Sequence, residues 1–339
     1  MKSKFLKILA LTLSAVTLSA VFTACNVGGN TSESSDYTSE SGNGNTSDSE
    51  TQPSHSHDYK DGVCECGALK PSEGLTFATV ESWTENGMET VAIVTGKGTC
   101  TDTEIVIPDT YEGYPVQGTQ MSAFTQNAEI TSVVFPEGFR FIDERAFFQC
   151  SNLTTVVLPE SLTTIYSYAF TGCPKLTDVT LPKSLISIGT EAFNSCNALT
   201  SIHIPDNVNI GTRAFLACTG LQTITFGNGI NVGESSFSSC TALTEINLNG
   251  VTHISNCAFS SCTGLTSVTI PQSVQYIREN AFKNCSNLAS VTFEITEGWY
   301  RTNQGGATSG ADADLSNSSH NVELLTKGTT SKFFYGRNV

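Results

Sequence analysis

The chain has 339 residues, 39% of them hydrophobic and 14% charged, with 12 Cys, 28 Gly and a formal net charge of −15. Contact with nucleic-acid phosphates needs clustered Lys and Arg that displace counterions, and the 17 basic residues here form no cluster, which excludes that partner class. The apolar fraction can fill a core, and Gly and Pro are too few for a collagen-like or wholly disordered chain.

Lys2, Lys4 and Lys7 precede an apolar stretch from Ile8 to Phe22, the charged n-region and short h-region of an export signal over residues 1–24. That stretch is shorter than the roughly 20 apolar residues that cross a bilayer, and it ends in Phe22-Thr23-Ala24-Cys25. The ending resembles the cleavage box of bacterial lipoproteins, with Phe22 where Leu is usual. A plain signal peptide cut near Ala24 is the other reading. The resemblance implies a lipid on Cys25 and a chain exported to the outer face of the bacterial cytoplasmic membrane and exposed at the surface. Residues 25–54 are then almost all Asn, Ser, Thr, Gly and acids, too poor in apolar surface to offset chain entropy, and read as a disordered tether.

Residues 55–73 form a small Cys/His element. His55, His57, Cys64 and Cys66 supply the ligand types and number of a structural zinc site, although Cys64-Glu65-Cys66 is one residue tighter than the usual Cys-x-x-Cys. A turn carrying two thiols or a disulfide is the competing reading. The segment resembles short His and Cys elements of other Gram-positive surface proteins.

The rest of the chain is dominated by a period. Phe recurs at 124, 147, 170, 193, 215, 237, 259 and 282, at spacings of 22 or 23 residues. Each unit also carries Leu-x-x-Val/Ile-x-Leu/Ile/Phe and usually Pro, as in Leu153, Val156, Leu158 and Pro159. Alternating inward residues ending in Pro predict a short strand, and Ala-Phe-x-x-Cys is too short for a helix and predicts a convex turn. So small a unit cannot bury its apolar face alone. About eight coils must therefore stack strand beside strand as a β-rich solenoid with one parallel concave sheet, over residues 116–293.

The phased Ala-Phe-x-x-Cys-x-x-Leu-Thr-x-Val-x-Leu-Pro resembles the BspA-like leucine-rich repeat family of bacterial surface proteins. The resemblance runs from about Gly74 to Val339. Thr101 to Pro108 and Tyr111 to Val116 are similar to the family's N-terminal segment and imply a β-rich cap over residues 74–115. Gly298-Trp299-Tyr300 and Phe333-Phe334-Tyr335 imply a C-terminal cap within 294–339. The family implies an adhesin or ligand-binding surface protein and no catalytic residues.

Cys150, Cys173, Cys196, Cys218, Cys240, Cys262 and Cys285 hold one place in the repeat, three residues after Phe. Seven identical positions cannot all pair with one another, and Cys packs as a small hydrophobe, so free thiols are expected. Asn127 takes that place in the first coil, where its side chain can bond the turn backbone. Cys257 lies outside the ladder and is expected to be exposed and reactive.

In repeats of this kind the ligand meets the concave strands, whose central pairs are Ser132/Val134, Thr155/Val157, Asp178/Thr180, Ser201/His203, Thr223/Thr225, Glu245/Asn247, Ser267/Thr269 and Ser290/Thr292. Thr is also what solvated strands prefer. Asp178 and Glu245 stand three strands apart, about 14 Å, beyond the reach of paired glycosidase carboxyls. His203 is one strand from Asp178, which could orient it. Asp312, Asp314, Ser316 and Glu323 have the spacing of a calcium loop, but Asn317 replaces its turn Gly. The expected partner is a protein or glycan of a host or neighbouring cell, engaged from Asp178 through Asn247. The alternative is a non-adhesive envelope spacer or accessory lipoprotein whose repeats serve rigidity.

Overall fold

The computed structural model describes residues 59–60, 62–64, 67–84, 87–296, 299–302, 308–312, 321–322, 325–326 and 334–337. The export signal, Cys25, the tether, His55, His57, Cys66, and Asp314, Ser316 and Glu323 of the calcium-like loop lie outside them. Two compact units result, Met1–Lys70 and Pro71–Val339.

The first unit contains a minimal hairpin, Tyr59–Lys60 antiparallel to Val63–Cys64. Backbone bonds from Lys70 N to Gly62 O and from Cys64 N to Ala68 O, each 2.8 Å, bring residues 68–70 back along its second strand. Cys64 is buried.

The second unit is the solenoid. Sequence alternation does what it must: in Ser201–Ile204, Ile202 and Ile204 point inward and are buried, and Ser201 and His203 face solvent. This first ladder has nine positions, beginning one coil earlier than the Phe repeat, at Glu104–Val106. It is not the single sheet that the repeat predicts. Glu104–Val106, Ser132–Val134 and Thr155–Val157 pair in parallel, as do Ser201–Ile204, Thr223–Phe226 and Glu245–Asn247, and Ser267–Ile270 with Ser290–Phe293.

Both interruptions have local causes. At Asp178 only an isolated bridge to Thr155 survives. Asp is a poor strand former, and its carboxylate accepts a bond from the neighbouring Thr177 hydroxyl at 3.0 Å. At Asn247 the side-chain oxygen accepts from Asn249 N at 3.0 Å, a local turn that ends the strand.

A second parallel ladder runs down the other flank, which the repeat pattern did not announce. It comprises Tyr114–Thr119, Phe141–Ile142, Thr164–Ile165, Ser187–Ile188, Asn209–Ile210, Ile230–Val232, Val251–Ile254 and Tyr276–Ile277. At its start the long hairpin Thr76–Thr84/Gly87–Gly96 covers the edge, with Gly87–Gly96 parallel to Tyr114–Thr119. At its end Phe334–Arg337 pairs antiparallel with Tyr276–Ile277 and Trp299–Thr302. Edges otherwise open to a stray strand are thereby occupied. Gly118 leaves room there for the Phe141 ring, since a Cβ on it would sit 2.3 Å from the ring and push it aside.

The third side is the corner that carries Phe. In every coil the residues two before and two after Phe have left-handed backbone, from Ser122 and Gln126 to Asn280 and Asn284, with Gly172 at one of these places. That conformation costs an L-residue about 1–2 kcal/mol. It turns alternate N–H groups the same way, so these two residues and Phe all donate to the next coil. Arg145 N reaches Ser167 O at 3.1 Å, Phe147 N reaches Ala169 O at 2.8 Å, and Gln149 N reaches Thr171 O at 2.7 Å. The rings stack at centroid distances of 4.9 to 5.6 Å from Phe124 to Phe282. All eight are buried.

Candidate binding faces

The cysteine ladder lies beside the Phe stack and is structural. All seven thiols are buried and free. Each S–H donates to the Phe carbonyl of the preceding coil, as Cys196 Sγ to Phe170 O at 3.3 Å and Cys218 Sγ to Phe193 O at 3.1 Å. A carbonyl has two lone pairs, and the second bond on the same Phe oxygen comes from the coil's own Cys N–H, as Cys196 N to Phe193 O. Burial pushes the thiols of Cys150 and Cys218 up to about 12 and that of Cys285 to about 11, so they stay protonated and unreactive at neutral pH.

Cys257 does not behave as its place outside the ladder predicts. It is partly buried in the left-handed corner position, and burial, then the carboxylate of Glu234, raises its pKa. Asn127 acts as expected, its Oδ1 accepting from Glu129 N at 2.9 Å and Ile130 N at 3.1 Å.

The first face opens to solvent later than expected. Ser132 and Thr155 are buried, with hydroxyls that have no partner, whereas Asp178, Thr180, Ser201, His203, Thr223, Thr225, Glu245 and Asn247 are all exposed. Ser267, Thr269 and Thr292 continue the row. Register places Ser201, Thr223 and Glu245 side by side, and likewise His203, Thr225 and Asn247. His203 is oriented from the opposite side to the one expected, because its Nδ1 lies 2.9 Å from Thr225 Oγ1 rather than on Asp178. The row offers hydroxyls, an amide, an imidazole and two separated carboxylates. This composition suits hydrogen bonding to a polar partner. Among the described residues no three His, Cys, Asp or Glu side chains gather as a metal site.

The second face carries side chains that the repeat pattern hides, because they fall out of phase with Leu and Phe. Tyr166, Ile186 and Tyr276 are 47%, 63% and 39% exposed. In the sequence Tyr166 follows the inward Ile165, where other coils carry Asp, Gly, Ser or Arg, and Tyr276 precedes the inward Ile277, where most carry Thr, Ser or Asn.

This repeat has counterparts among known proteins. The BspA type leucine-rich repeat region matches residues 118–244 and 209–298, in six copies, which is more than half of the chain. The chain belongs to that family. Among solved structures, a leucine-rich repeat protein of Bacteroides ovatus is similar at 24% identity and a TM-score of 0.50, over 66% of this chain and 70% of that one. The Treponema pallidum leucine-rich repeat protein shares 27% identity over 52% of this chain and 80% of its own, with a TM-score of 0.46. A leucine-rich cell surface protein of Faecalibacterium prausnitzii shares 20% over 65% and 94%, with a TM-score of 0.32. No curated protein sequence matches the chain. The corner, the Phe stack and the Leu-x-x-Val strand are thus the BspA-type repeat as this chain builds it.

Proposed function

We propose that this protein is a lipid-anchored BspA-type repeat protein displayed at a bacterial surface, and that it binds a protein or glycan of a host or neighbouring cell. Its first face, from Asp178 through Asn247, is the binding strip. One observation carries the reading. The buried corner repeats almost residue for residue, whereas the exposed strand centres change from coil to coil, from Asp178 and Thr180 to Ser201 and His203 to Glu245 and Asn247. A spacer needs the fixed part and has no use for the varied part.

The test is binding of the purified chain to intact host cells, immobilised matrix proteins and a glycan panel, beside a variant with Asp178→Ala, His203→Ala and Glu245→Ala. These exposed changes should leave the thermal midpoint nearly unchanged, since isolated surface substitutions are usually within about 0.5 kcal/mol, while removing most of the binding to cells and matrix proteins. Undiminished binding by the folded variant would place the site elsewhere. No binding by the wild-type chain to any surface would favour the envelope spacer.

A further inference from the structure

We infer that the second face carries a separate site for a linear, uncharged glycan. Outward residues on the second ladder fall in one row, Phe141, Thr164, Ser187, Asn209, Asn231, His253 and Tyr276, set in register by the strand pairings. An aromatic pair stands at each end. Phe141 meets Tyr166 edge to face at 6.3 Å, and His253 stacks on Tyr276 at 4.8 Å. Between them lie the hydroxyls of Thr164 and Ser187 and the exposed amides of Asn209 and Asn231. Ile186 adds apolar surface next to the first pair.

The chemistry of the row selects its occupant. Asp178 and Glu245 interrupt the first face, but no residue of the second row is a carboxylate, Lys or Arg, in a chain of net charge −15. Partial burial and the nearby Arg278 also lower the pKa of His253, which keeps the imidazole neutral. The charged neighbours Arg140, Asp143 and Arg278 stand beside the aromatic ends, so the hydroxyl and amide centre of the row has no charge to offer a basic or acidic protein partner. Exposed aromatic faces pack on the C–H face of a sugar ring, and planar amides each offer a donor pair and an acceptor to its hydroxyls. Five strand spacings separate Tyr166 from Tyr276, about 24 Å, so the occupant is a chain of several rings lying along the solenoid axis and not a monosaccharide.

The site is tested with the purified chain and soluble neutral oligomers of glucose, mannose and N-acetylglucosamine, followed by calorimetry. Tyr166→Ala and Tyr276→Ala should each weaken binding of the preferred oligomer about tenfold, and the double variant should abolish it, with the thermal midpoint unchanged. Longer oligomers should bind more tightly than the single sugar. The triple variant of the first face should keep this binding, so the two sites fail independently. Three results would overturn the inference: no oligomer binds the wild-type chain, the double tyrosine variant binds as the wild type does, or the tyrosine changes abolish self-association of the chain and leave oligomer binding intact.

Discussion

Emptying one place in the Phe stack should be among the most destabilising single changes available. Phe193 is fully buried, with Phe170 and Phe215 at 5.2 and 5.1 Å and nearly parallel to it. Phe→Ala in a core costs about 3 to 5 kcal/mol, and the upper half applies where the walls cannot close on the cavity. Here they cannot, because the backbone on both sides is pinned coil to coil by Phe170 N to Ala192 O and Phe193 N to Ala214 O, both 2.7 Å. We expect Phe193→Ala to cost about 4 to 5 kcal/mol, a large share of the 5–15 kcal/mol that typically holds a domain folded. Among the described residues Phe282 has a ring on one side only, Phe259 at 5.4 Å, so Phe282→Ala should cost about 1 kcal/mol less. Urea unfolding followed by far-UV circular dichroism would measure both. A lower midpoint at unchanged slope means the stack still unfolds as one unit, and a shallower slope means the coils on either side have come apart. A loss below about 1 kcal/mol for Phe193→Ala, or a larger loss at Phe282, would refute the reasoning.

Ser236 fills the corner position that is Ala in the neighbouring coils, fully buried and with a hydroxyl that has no partner, so Ser236→Ala should stabilise the fold by about 1 kcal/mol and raise the unfolding midpoint accordingly. The protonated thiol ladder makes the fold alkali-labile. A thiol held near 12 when folded and near 9.0 when unfolded contributes its full stability below pH 9, then loses about 1.4 kcal/mol by pH 10, and loss continues until the folded pKa is passed. Urea midpoints measured from pH 7 to 10 should fall steeply, and Cys218→Ala should remove one proton's worth of that slope; a flat profile would contradict the burial of the thiols. Cys25→Ala should abolish fatty-acid labelling and leave an uncleaved or mislocalised precursor, whereas a variant still labelled would exclude a lipid at Cys25.

The Phe and Leu phase made the solenoid legible in the sequence because every coil repeats the same burial problem, and identical solutions show as a period. The second ladder was not legible. Its strands are two residues long in Phe141–Ile142 or Ser187–Ile188, so they expose a single inward Ile and no alternation to read. The left-handed corner was hidden for another reason. Ser, Asn, Arg, Glu and Gln occupy most of it, with Tyr168, Gly172, Ala217 and Cys257 at the rest, and its cost is met by hydrogen bonds to the next coil that a single repeat does not contain. The cysteine column was visible, but its purpose, a bond to the Phe carbonyl 25 or 26 residues earlier, exists only across coils. On the first face the sequence showed which residues alternate outward. It did not show that Ser132 and Thr155 are buried, or that His203 leans on Thr225.

The most direct measurement of the binding account is a single comparison of the wild-type chain, the Asp178/His203/Glu245 triple alanine variant and the Tyr166/Tyr276 double alanine variant, on the same intact cells and the same neutral-glycan panel. The account predicts that the triple variant loses cell binding and keeps the oligosaccharide, while the double variant does the reverse, both with wild-type thermal midpoints. Wild-type binding to cells and glycans by both variants would contradict it, since neither exposed face would then be where this solenoid meets a partner.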